Sequence, residues 1–195
     1  VGSSAVNLTR GGPGSSLMGN FVTDAMLAYF DADFSFQNVG GLRSDLPAGD
    51  LTVKDVFSVL PFGNELVLVE MDGAMVRKII ERKVRGNSGG LCIAGVNTVF
   101  NKTREDWDRV CRLELNGEPV LPGNSYKVVC TTYLMEGNSG LDFLTTIPAG
   151  KIELTQITTS ETVEHYLKEN SPVRPKIDNR WVEDPQAEQA DYLKK

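Results

Sequence analysis

Apolar residues near the start of the chain recur at helical spacing. Leu17, Met18, Phe21, Val22, Ala25, Met26 and Tyr29 share one face, which predicts an amphipathic helix over residues 17–30 capped by Ser15 or Ser16. Residues 33–37 alternate like a strand that runs into a Gly turn. Thr52 is a fitting cap for a short helix over 53–59, which Pro61 stops. Residues 65–71 read as a buried strand. Asp72 then opens a helix with core positions Met75, Val76, Ile79, Ile80 and Val84, ending at Gly86. From Leu91 the texture turns to β-branched and apolar runs, at 91–100, 109–115 and 126–132, with a hairpin signal at Asn116-Gly117. Ser160 is the expected cap of a last helix over 161–168, and residues 173–180 suit a closing edge strand. Helices alternate with hairpins rather than with single parallel strands. The pattern predicts an α+β fold, a mixed sheet with packed helices.

Composition narrows the class. At 195 residues, 41% apolar and 24% charged, the chain has the profile of a soluble globular domain or compact pair. Its net charge of −6, with both signs mixed along the sequence, argues against non-specific nucleic-acid binding. No window approaches the length of a membrane span. Residues 1–8 alternate like a strand and begin abruptly, without a signal peptide. This reads as a domain cut from a longer protein, with residues 1–183 as the domain and 184–195 as a polar tail that frays or packs as a short helix. One histidine and three cysteines without C-x-x-C spacing argue against zinc. Cys111 and Cys130 lie in strand-like runs, so two readings stand: a disulfide between facing strands, or small buried hydrophobes.

The candidate chemistry concentrates in residues 36–50 and 59–64. Asn38, Gly40, Gly41 and Arg43 share one turn, and Phe62 and Asn64 a second. Backbone at a Gly turn can approach a ligand closely, a guanidinium forks onto oxyanions, and an aromatic face stacks on a flat ring. Each residue also has a plainer reading. Arg43 can be a surface arginine paired with Asp45 or Asp50, Asn38 and Asn64 can be turn formers, and Phe62 can fold onto the core. No nucleophile elbow, reactive cysteine pattern or metal-ligand run accompanies them. The stretch suggests recognition more than bond breaking.

These residues resemble the carboxy-terminal domain of bacterial and animal 5′-nucleotidases, a family that includes UDP-sugar hydrolases and 2′,3′-cyclic nucleotide phosphodiesterases. The resemblance rests on Asn38-Val39-Gly40-Gly41-Leu42-Arg43, Pro47 to Asp50 and Leu60-Pro61-Phe62-Gly63-Asn64. It is supported by Leu17 to Phe21 with Asp24-Ala25-Met26, and by Tyr133 to Gly140. It covers roughly residues 1–183. It implies that Arg43 grips an anionic part of a nucleotide and that Phe62 and Tyr133 sandwich the base. Asn64 would read the base edge, and Asn38, Gly40 and Gly41 would line the cleft.

The resemblance further implies a nucleotide or nucleoside ligand, and an N-terminal metallophosphoesterase domain in cis that holds a divalent metal pair. No cofactor belongs to this chain itself, and the setting is periplasmic, secreted or at the cell surface. With one histidine the chain cannot build the metal site, so alone it should bind without hydrolysing. Several positions depart from the family pattern. Ser15 and Leu17 replace an acidic residue and an asparagine, and Gly14 replaces a phosphate-binding arginine. Val39 replaces a glycine, and Ser139 a ribose-binding aspartate. They keep a second expectation open: a binding or structural module that has lost nucleotide recognition.

Overall fold

The computed structural model describes residues 1–11, 14–86 and 90–194. Five helices are present among them: α1 (Leu17–Phe30), α2 (Val53–Val59), α3 (Gly73–Arg85), α4 (Thr132–Met135) and α5 (Thr159–Asn170). The strands are β1 (Gly2–Ser4), β2 (Phe34–Asn38), β3 (Gly49–Leu51), β4 (Glu65–Asp72), β5 (Leu91–Ala94) and β6 (Val96–Phe100). They continue with β7 (Val110–Leu115), β8 (Glu118–Pro119), β9 (Ser125–Thr131), β10 (Ile152–Thr158) and β11 (Trp181–Glu183).

The first three helices begin and end where local chemistry dictates. The Ser16 hydroxyl accepts from Gly19 N at 3.0 Å, satisfying a first-turn amide of α1. Thr52 and Asp55 form a reciprocal capping box at α2. Asp72 accepts from Met75 N at 2.7 Å to start α3, and Gly86, with φ 69°, ends it.

A five-stranded mixed sheet in the order β10-β4-β9-β2-β5 is the central layer. β2 and β9 run parallel, and the other pairings are antiparallel. Strand alternation sends side chains to two different cores. Phe34, Phe36, Val67, Val69, Met71, Val128 and Cys130 face α3 and a second sheet, ordered β11-β6-β7-β8. Leu66, Cys92 and Val129 face the other way, onto α1, α2 and α5. The predicted α+β class with a mixed sheet and packed helices is the observed one.

Several local expectations change. The run 91–100 is two strands in different sheets, broken at Gly95, whose φ is 94°. The cap of α5 is Thr158, which forms a capping box with Glu161, and Ser160 lies inside the helix. Residues 152–158, for which the pattern predicts no element, are edge strand β10. Cys111 sits on β7 and Cys130 on β9, in different sheets, and all three thiols are free and buried. Of the two expectations for the polar tail, packing as a short helix is the one observed: it ends in a 3₁₀ turn at Asp191–Leu193, with Leu193 buried and the Tyr192 hydroxyl donating to Leu113 O at 3.0 Å.

Residues 173–180 form no strand apart from a single bridge between Val173 and Ser4; the closing strand is β11, parallel to β6. The reason is Arg180, only 11% exposed, whose fork is shared by Asp24 (2.8 and 3.2 Å), Asp178 (2.8 and 2.7 Å) and Ile93 O (3.1 Å). Satisfying that many donors draws the backbone away from a ladder. Burial works against the Asp178 anion, but hydrogen bonds from Arg180 outweigh it and hold its carboxyl below the usual range. A carboxyl more acidic in the folded state contributes stability above the unfolded value of about 3.9, and loses it as pH falls through the folded value. Asp24, pushed up by burial, opposes this in wild type and variant alike. Asp178→Asn should therefore cost about 0.5–1 kcal/mol at pH 6 and almost nothing at pH 2.5, read from urea midpoints. An equal cost at both pH values would contradict the assignment.

Candidate functional site

The sheet register brings the sequence-predicted residues to one end of the molecule. Leu66 pairs with Thr131, so β4 starts where β9 finishes. β2 runs parallel to β9, with Ser35 opposite Val129, and therefore finishes at the same end. Thr158 pairs with Glu65, which sets the start of α5 beside the start of β4. The turn after β2 carries Asn38 to Arg43, the turn before β4 carries Phe62 to Asn64, and α4 after β9 carries Tyr133. Elements far apart in sequence thus meet at one sheet end, the usual place for a site in sheet-based folds.

A 3₁₀ turn, Val39–Gly41, follows β2 and aims Arg43 outward. Arg43 N donates to Val59 O at 2.9 Å, tying this turn to the end of α2. Its guanidinium donates to Gly40 O at 3.1 Å and lies 5.7 Å from the centre of the Phe62 ring. The expected pairing with Asp45 or Asp50 is not formed: Asp45 instead accepts from Arg10 N and Nε at 2.9 and 3.0 Å. Arg43 has no carboxylate partner among the described residues. Arg10 also reaches Leu42 O at 3.2 Å, which brings a second cation to the same turn. Phe62 is 58% exposed, so it is not folded onto the core.

Gly41, Phe62 and Asn64 line one small hollow, together with Gln37, Thr159 and Ser160. In the sequence Gln37 reads only as a strand residue. It is buried, its Nε2 donates to Asn38 Oδ1 at 3.2 Å, and its Oε1 has no partner among the described residues. A buried acceptor left unpaired costs free energy that a donor on a ligand can recover. Gly41 makes room for this pair, since a Cβ there would stand 2.4 Å from Gln37 Nε2 and 3.2 Å from Asn38 Oδ1. Asn64 O anchors α5 by accepting from Thr159 N at 3.1 Å, while the Asn64 side-chain amide makes no hydrogen bond to the described residues. The N-terminus of α5 lies at this rim, its positive dipole end offset by Glu161 in the first turn.

Asn38, Arg43 and Tyr133 stand outside the lining of this hollow. Tyr133 is 39% exposed and makes no ring contact with Phe62. Ser139 sits at φ 60° in a loop where Gly140 O accepts from Arg82 Nε at 3.2 Å. His165 packs its ring against Tyr29, away from this end. Among the described residues, no group of His, Cys, Asp and Glu is placed to hold a metal ion, and no helix is long and apolar enough to cross a membrane.

The profile of the family described as "5′-nucleotidase, C-terminal domain" matches residues 1–146. Protein UshA of Salmonella pullorum is 29% identical over 173 residues, covering 85% of this chain and 30% of that protein. A 5′-nucleotidase of Rattus norvegicus is 30% identical over 193 residues, covering 84% of this chain and 32% of that protein. The crystal structure of a 5′-nucleotidase precursor from Thermus thermophilus superposes with a TM-score of 0.85 at 28% identity, covering 94% of this chain and 39% of that one. The chain thus spans about a third of the length of these relatives.

Proposed function

The chain belongs to the 5′-nucleotidase C-terminal domain family, and on that premise we propose that it is the substrate-specificity domain of a metal-dependent hydrolase of nucleotide phosphoesters. Phe62 stacks on the base and Tyr133 closes on its other face. Gln37 and Asn64 read the polar edge, while Arg43 and the amides of the Gly40-Gly41 turn hold an anionic part. An N-terminal metallophosphoesterase domain in cis would hold a divalent metal pair, which would supply the Lewis-acid chemistry of hydrolysis. This domain contributes position, which removes orientational entropy from the reaction but breaks no bond. Two stacking faces at ~1–3 kcal/mol each sum to ~2–6 kcal/mol, an affinity of roughly tens of micromolar to tens of millimolar before ordering costs are set against it. The setting that goes with this activity is periplasmic, secreted or at the cell surface.

The observation that carries the reading is the exposed Phe62 ring beside the Arg43 guanidinium, which has no carboxylate partner among the described residues, over a hollow holding a buried Gln37 acceptor without a partner among them. Steady-state release of phosphate from AMP, and of UMP from a UDP-sugar, by the full-length protein tests it. Hydrolysis should require divalent metal and stop on chelation, and the 195-residue chain alone should bind nucleoside without turnover. Full-length protein whose only phosphoesterase activity is towards a base-free ester, unchanged by Phe62→Ala, would overturn it.

A second reading is a binding or structural module without nucleotide recognition. The Ser139 turn favours it, because the Gly140 carbonyl there is held by Arg82 and no carboxylate occupies position 139. Failure of any nucleoside to bind the full-length protein would select this reading.

A further inference from the structure

A hollow of about 480 Å³ opens between the start of α1, the end of α3 and β11. It shares no lining residue with the hollow at Phe62. Lys83 lines it and is only 7% exposed. The ammonium donates to the carbonyls of Gly14 and Leu91 and stands 4.3 Å from the centre of the Trp181 ring. No carboxylate among the described residues pairs with it. The other two cations lining this hollow are each matched: Arg10 by Asp45 at 3.0 Å, and Lys102 by Glu183 at 2.8 Å. Lys83 is therefore the one unbalanced charge of the wall among the described residues, in a protein whose net charge is −6. Burial pushes its pKa down to about 8.

A buried ammonium without a counter-charge is costly, and a methionine on this face of α3, beside Ile79, Ile80 and Val84, would fill the space without that cost. One further donor and a helix N-terminus lie on the same wall. Ser16, 5% exposed, accepts from Gly19 N, and its own hydroxyl proton goes to no acceptor among the described residues. It caps α1, a helix of 14 residues with no acidic residue in its first turn, so the positive dipole end is uncompensated. Glu183 on the same wall is taken up by Lys102, so what the wall lacks is a counter-charge for Lys83 and an acceptor for the Ser16 proton.

We infer that this hollow is a second ligand site, which takes a small oxyanion, a carboxylate or a phosphate, against Lys83 and Ser16. The anion balances the Lys83 charge and accepts the free Ser16 proton, while Trp181 and Phe100, with ring centres 4.2 Å apart, form its apolar side. The anion site itself does not need the nucleotide reading, but its role as a product site rests on it. If the ligand is inorganic phosphate, the site is a product site for phosphoester hydrolysis. If it is a carboxylate, the site senses an unrelated metabolite class.

The chain contains two tryptophans, Trp107 and Trp181, so the indole N–H signals give a built-in control. Sodium phosphate and sodium acetate, each titrated at constant ionic strength into ¹⁵N-labelled chain, should move the Trp181 indole signal saturably and leave that of Trp107 in place. Response to phosphate alone, acetate alone or both supports the site and names its preferred oxyanion. Lys83→Met should abolish the response, Ser16→Ala should weaken it about tenfold, and Phe62→Ala should leave it intact. If Lys83→Met fails to fold, as judged by circular dichroism, the wild-type and Ser16→Ala titrations decide. No saturable Trp181 shift in wild type, equal affinity in Ser16→Ala, or a shift that persists in folded Lys83→Met overturns the inference.

Discussion

Gly95→Ala should lower the unfolding free energy by about 3 kcal/mol, from strain and overpacking acting together. Gly95 has φ 94°, a conformation that side chains resist, and it is where the chain leaves the central sheet for the second one. A Cβ at this position would stand 2.0 Å from Asp33 O, 3.0 Å from Asp33 C and 3.1 Å from Phe34 Cα. Those are backbone atoms that cannot move aside cheaply. Asp33 N donates to Lys127 O at 2.8 Å, its carboxylate accepts from Lys127 N at 2.8 Å, and Phe34 is fully buried in β2. Gly117→Ala is the control, with a similar φ of 83° but open space around it, and should cost only about 1 kcal/mol. Urea unfolding of both variants measures the difference. Equal losses would mean that the close approach to Asp33 carries no weight.

Phe62→Ala should weaken nucleoside binding by about 5- to 150-fold, the range that loss of one stacking face implies. It should leave the urea midpoint almost unchanged, because the ring is 58% exposed and belongs to neither core. Arg43 stays in place in the variant, since its backbone is held by Val59 and its guanidinium by Gly40. A calorimetric titration with wild type and variant at one ionic strength separates the two effects. Unchanged affinity in a folded variant would remove Phe62 from the proposed clamp.

The helices are legible where their caps are. Ser16, Thr52, Asp72 and Gly86 are polar or glycine residues beside strong 3.6-residue patterns, and α1, α2 and α3 follow from them. The true cap of α5 also carries a signal: Thr158 has Glu161 three residues on, the capping-box spacing, whereas Ser160 lacks one. β10 is not legible, since Leu154 is 68% exposed on an edge strand whose polar residues give no buried alternation. The break at Gly95 reflects a tertiary contact with Asp33, which no periodicity within 91–100 encodes.

The site shows the same division. The Gly turn and Phe62 stand out as residue types in unusual places. Gln37 looks like one more strand residue, and only the fold reveals that its carbonyl oxygen is buried without a partner among the described residues. The Arg10–Asp45 pair likewise depends on the bridge between Leu8 and Leu46, which aligns two distant segments.

Saturation-transfer NMR of adenosine, uridine and AMP against this chain tests the central claim most directly. The account predicts transfer to base-ring protons, lost in Phe62→Ala and Tyr133→Ala but retained in Lys83→Met. Transfer to no base from the folded full-length protein, or transfer that survives both aromatic substitutions, would contradict it.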